Sequence, residues 1–105
     1  MNVIFLAVVA AALLSGPAST AQATATVHIK NFAYHPPTLT IAAGTVVRFV
    51  NDDAEAHTVT AVDKSFDSEG LDSGDAWGYR FVAPGKYAYF CALHPYMRAT
   101  IVVLK

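Results

Sequence analysis

A second cysteine is what this sequence most plainly lacks. Cys91 stands alone among 105 residues, so no disulfide closes within the chain. Bases are few as well: seven Lys and Arg stand against eight Asp and Glu, for a net charge of -1. No basic stripe exists, which excludes a nucleic-acid binder. An apolar run long enough to cross a bilayer is also missing; the longest, IFLAVVAAALL at residues 4–14, falls short. No segment repeats, and none carries the 3.6-residue period of an amphipathic helix over a convincing length.

What is present begins with that short apolar run. Its length suits the core of a cleaved export signal rather than a membrane anchor. Small residues follow it, and Ala21-Gln22-Ala23 fits an A-x-A cleavage site, with Ser19-Thr20-Ala21 an alternative. Met1-Asn2-Val3 holds no Lys or Arg, so the amino terminus supplies the positive charge such signals need. The expectation is a signal peptide over residues 1–23 and one domain over residues 24–105. A domain of that size gains modest stability from its core alone, and exported domains of this kind recruit disulfides or a metal. A lone thiol in an oxidising compartment needs protection, and metal ligation provides it.

Past Ala23 the pattern has period two. Val27 and Ile29 alternate with His28 and Lys30, Leu39 and Ile41 with Thr38 and Thr40, Val47 and Phe49 with Arg48 and Val50. Runs at 57–62, 76–82, 85–90 and 99–104 complete a set of short β-branched and aromatic segments. Pro36-Pro37, Ala43-Gly44, Asn51–Asp53, Ser73–Asp75 and Pro84-Gly85 punctuate them. This predicts an all-β Greek-key sandwich of seven or eight strands. Residues 63–75, DKSFDSEGLDSGD, read as a solvated loop or a weak edge. All eight acids fall between Asp52 and Asp75, with Lys64 the only base among them.

The stretch CALHPYM, residues 91–97, gathers a thiol, an imidazole and a thioether. Cys91 ends a predicted strand on the face of Tyr87 and Tyr89, and the chain returns as a strand from about Arg98. Neighbouring strands lie about 5 Å apart, so one loop can bring three donors around a point. A fourth must come from elsewhere. His57 follows a turn and opens a predicted strand, which places it at an end of the sandwich where loops cluster. Two imidazoles, a thiolate and a thioether exclude hard cations, which want oxygen. Structural zinc rarely takes methionine. A His₂Cys trigonal set with a weak axial Met is the signature of electron-transfer copper.

These residues resemble the blue-copper cupredoxins, the family of plastocyanin and azurin. CALHPYM is similar to the family's C-x-x-H-x-x-M loop, with the short spacing of the amicyanins. Asn31-Phe32-Ala33-Tyr34, the run at 39–45, Val50-Asn51-Asp52, His57-Thr58-Val59-Thr60 and the run at 84–91 look like family segments in family order. The resemblance implies one type 1 copper ion held by His57, Cys91, His94 and Met97. It implies a periplasmic one-electron carrier, monomeric and no enzyme, serving a donor and an acceptor of the dehydrogenase or c-type cytochrome class. It places His94 near the surface within an apolar patch, for which Leu93, Pro95, Tyr96 and Pro36 are candidates.

The sequence departs from the family pattern beside the site. Thr58 stands where Asn is frequent and Ala92 where a hydroxyl residue is common, which predicts a weaker tether between the two ligand segments. Leu93 stands where proline is common, and its extra N–H is expected to point at the Cys91 sulfur. Rival readings are a copper chaperone or buffer of the same fold, a zinc-stabilised domain, and a copper oxidase or binuclear centre. The last requires a second cysteine or H-x-H pairs, and the chain has neither. His28 and His35 are read as surface residues, Trp77 and Tyr79 as packing.

Overall fold

The alternating runs become eight strands, and the period-two pattern decides which side chains they bury. The computed structural model describes residues 22–105; the expected signal segment lies outside them but for its last two residues. The strands are β1 (Thr24–Lys30), β2 (Ala33–His35), β3 (Thr38–Ala42), β4 (Val46–Asn51), β5 (Thr60–Ala61), β6 (Ala76–Arg80), β7 (Gly85–Cys91) and β8 (His94–Leu104). No helix occurs among the described residues. The strands form two four-stranded sheets, in the orders β2-β1-β4-β6 and β3-β8-β7-β5. β1 runs parallel to β4 and β3 parallel to β8, while the remaining pairs are antiparallel. The all-β sandwich expected from the sequence is the fold observed.

The core lies between the two inner faces. Val27 and Ile29 from β1, Val47 and Phe49 from β4, Tyr89 and Cys91 from β7, and Ile101 and Val103 from β8 are all buried. Each large apolar side chain removed from water stabilises the sandwich by about 1.5–3 kcal/mol. His28 and His35 occupy the opposite phase, paired across β1 and β2, and are exposed as expected. Trp77 and Tyr79 stack at 5.5 Å and pack on the core edge, the role assigned to them.

Residues 63–75 are only partly the solvated stretch the sequence suggests. Phe66 and Leu71 are buried core residues. Isolated bridges pair His57 with Leu71 and Thr60 with Asp67, so the segment borders the short β5 as an irregular edge. The predicted strand over 57–62 is correspondingly reduced to Thr60–Ala61.

Candidate metal centre

The β7–β8 hairpin carries one half of the site. Its ladder is regular from Gly85↔Val103 to Phe90↔Arg98, then shifts so that Cys91 pairs with His94 around the turn at Ala92 and Leu93. Pro95, Tyr96 and Met97 are left as an unpaired bulge in β8, which begins at His94 rather than near Arg98. A bulge re-aims the side chains it carries. Tyr96 is 70% exposed, whereas Met97 is 2% exposed, three residues after His94 at the same end of the sandwich.

His57 brings the other half, held by one isolated bridge and by side chains rather than by a continuous ladder. The buried Asn51 donates its amide to the carbonyls of Glu55 and Leu71 and accepts the N–H of Asp53. Backbone bonds run both ways between His57 and Leu71, at 3.0 and 2.8 Å. The imidazole donates Nε2–H to Asp53 Oδ2 at 2.8 Å. That bond fixes the tautomer and leaves the Nδ1 lone pair facing inward. Burial works to raise the Asp53 carboxyl. The Phe32 and Asn31 N–H groups and His57 outweigh it and hold the group below the usual carboxylate range.

Three of the expected donors meet. One ligand atom each from His57, Cys91 and His94 lies within 4.8 Å of the others. His57 Nδ1 is 3.8 Å from Cys91 Sγ and His94 Nδ1 is 3.7 Å from it. A first-row ion bound by thiolate at about 2.3 Å and imidazole at about 2.0–2.1 Å in a trigonal plane separates S from N by about 3.8 Å. The spacing therefore fits such an ion. Cys91 and His57 are fully buried, and His94 is half-buried at the rim. With buried Met97 beside them, this soft and mixed donor set is arranged as a copper site.

Thr58 corrects the expectation of a weak tether. Its N–H donates to Cys91 Sγ at 3.3 Å, and its carbonyl accepts the Tyr34 hydroxyl. Its Oγ1 accepts the Ala92 N–H at 2.8 Å, so the hydroxyl joins the two ligand segments without an asparagine. Oγ1 also meets Thr60 Oγ1 at 2.8 Å, which in turn donates to Asp67 at 3.1 Å. The Leu93 amide does not reach the sulfur; among the described residues Thr58 supplies the backbone donor to Sγ.

Sequence reasoning missed Phe32 and Asp53. Phe32 sets its ring edge-on to both imidazoles, 5.1 Å from His57 and 5.0 Å from His94 by centroids. The acid four residues before His57 was a readable hint of the carboxylate partner. Of the proposed patch, Leu93 and Tyr96 are 56% and 70% exposed, and Pro36 and Pro95 are exposed too.

Comparison with known proteins agrees with this geometry. A family model described as Cupredoxin-like domain matches residues 3–103. The chain is similar to amicyanin-alpha of Methylorubrum extorquens, 33% identical over 82 residues, or 73% of this chain and 69% of that protein. Among solved structures it resembles a purple cupredoxin from Nitrosopumilus maritimus, with a TM-score of 0.72 and 29% identity. That match covers 76% of this chain and 99% of the other. It also resembles a Cu-containing nitrite reductase from Thermus scotoductus, with a TM-score of 0.74 and 28% identity. There the match covers 90% of this chain but 25% of the enzyme.

Proposed function

The chain belongs to the cupredoxin-like family, and on that premise we propose that it is an exported one-electron carrier built around a single copper ion. The observation that carries the reading is the meeting of His57, Cys91 and His94 donor atoms within 4.8 Å at a buried end of the sandwich. Cys91 would provide the thiolate, His57 and His94 the imidazole pair, and Met97 the thioether. Bound there, copper supplies a Cu(I)/Cu(II) couple. The protein's own work is to hold donors of mixed softness in one arrangement, so that neither oxidation state demands a new one. Asp53 fixes the His57 ring, Thr58 fixes the Cys91 loop, and the core keeps water away from the sulfur.

The half-buried His94 is the donor side chain nearest solvent, and its neighbours Leu93, Pro95 and Tyr96 give that rim exposed apolar surface. A carrier of this design exchanges electrons with larger redox proteins of the dehydrogenase or c-type cytochrome class, in the periplasm after loss of residues 1–23. The similarity to a nitrite reductase spans a quarter of that enzyme's chain. This supports a shared domain rather than shared catalysis.

The acids suggest the sign of one partner. Seven of the eight acids between Asp52 and Asp75 are exposed, Asp53 alone being drawn half inside. A basic redox partner is then steered toward this flank, and its electron-transfer rate falls as salt shortens the Debye length below about 8–10 Å. Salt-independent kinetics reduces the segment to a solubilising edge.

A visible spectrum of the Cu(II)-loaded protein tests the central claim. An intense thiolate-to-copper band that disappears on reduction and returns on oxidation is the expected result. A colourless metal complex supports structural zinc instead. A protein locked in one oxidation state supports a copper chaperone or buffer.

A further inference from the structure

The two-residue turn between β1 and β2 calls for positive φ at both of its residues, and one of them is a bulky aromatic. Asn31 and Phe32 both take positive φ, at 55° and 58°. Asn takes that region readily, but a bulky Phe there is an outlier that survives only when its surroundings enforce it. Asp53 enforces it: Oδ1 accepts the Asn31 N–H at 2.6 Å and Oδ2 the Phe32 N–H at 2.9 Å. The same carboxylate accepts His57 Nε2–H. One acid therefore ties a strained turn to a buried imidazole.

The turn places an aromatic ring over the centre. The Phe32 ring is edge-on to His57 and to His94 at interplanar angles of 87° and 88°. Phe32 is 37% exposed, while Cys91 and His57 are completely covered. We propose that Phe32 is the shutter through which metal ions and small ligands reach the Cys91 sulfur and its imidazoles, and that Asp53 is its latch. The shutter rests on the donor set described above, though its closure depends on protein groups alone.

The test follows access rather than electron transfer. In the metal-free protein, Cys91 is titrated with small iodoacetamide and with bulky dithiobis(nitrobenzoate); in the copper-loaded protein, metal loss to EDTA is timed. Releasing two edge-on aromatic contacts raises the open fraction by about tenfold. Phe32→Ala is expected to speed the bulky reagent and EDTA by about that factor, with a smaller gain for iodoacetamide. Phe32→Leu falls between, Asp53→Ala also accelerates both, and the remote Val82→Ala leaves the rates at wild type. Melting curves are recorded for every variant in both metal states. Wild-type rates in Phe32→Ala overturn the proposal. Equal acceleration of both thiol reagents in step with a lowered melting temperature also overturns it, because global opening is blind to reagent size. A chain that binds no copper defeats the functional reading yet leaves the thiol titration able to judge the shutter.

Discussion

The two halves of the centre are built by different means. Cys91, His94 and Met97 come from one hairpin, where β7 and β8 pair through a nearly continuous ladder and a single bulge. His57 comes from a segment whose only strand is Thr60–Ala61, positioned by Asp53, Asn51, Thr58 and Ser68. The hairpin backbone carries three donors, Met97 from its bulge, while a single bridge to Leu71 and several side-chain hydrogen bonds hold the fourth. Regular pairing tolerates changes in outward side chains. A segment held by individual polar groups depends on each of them.

The strongest test removes a donor from either half. Alanine at Cys91, His57 or His94 is expected to abolish the intense copper band, the loss being complete for Cys91→Ala. His28→Ala and His35→Ala leave it intact, since both rings lie exposed on the outer face. A band that survives Cys91→Ala removes the assignment, whichever half it belongs to.

A smaller effect separates the halves. Thr58→Val keeps the side chain's shape but deprives the Ala92 N–H of its acceptor. A partly buried donor left unpaired costs about 1–3 kcal/mol. Guanidinium unfolding is expected to show that loss, with most of it restored in Thr58→Ser. A valine variant as stable as wild type means the Thr58 hydroxyl does not hold the halves together.

The same contrast explains what was legible in the sequence. Strand alternation at Val27, Ile29, Val47 and Phe49 predicted inward faces correctly, because pleat geometry alone sets which side each residue takes. CALHPYM was readable because its donors are neighbours in sequence. Segment 57–75 was not, because its order comes from contacts such as Val59 N–H to Ser68 Oγ and His57 to Leu71, which have no period. The tether was hidden for a related reason. A residue-type comparison saw a missing asparagine, while the threonine hydroxyl meets a backbone N–H that no sequence pattern displays.

The hairpin half offers a change in the opposite direction. Tyr89 is 1% exposed, packs edge-on to Tyr34 and Phe49, and has a hydroxyl with no hydrogen-bond partner among the described residues. Burial pushes that phenol well above its ordinary range. A buried polar atom without a partner costs free energy that phenylalanine avoids at nearly equal shape. Tyr89→Phe is expected to raise unfolding stability by about 1 kcal/mol and to leave the spectrum unchanged. A loss of stability means that the hydroxyl is satisfied after all.

The smallest effect belongs to Leu93, between two ligands and yet outside the network that holds them. Its side chain is 56% exposed in the turn that joins β7 to β8. Leu93→Pro removes a backbone N–H. Were that N–H bonded to the Cys91 sulfur, its removal would strengthen thiolate donation, favour Cu(II) and lower the potential. The sulfur's backbone donor is instead Thr58, 3.3 Å away in the other half. The proline variant is therefore expected to shift the potential by far less than the ~59 mV that represents a tenfold change in a one-electron equilibrium. Voltammetry of the two proteins at one pH reads the difference directly. A fall approaching that figure would mean that the hairpin supplies its own donor to the sulfur, and that the two halves are more alike than their hydrogen bonds indicate.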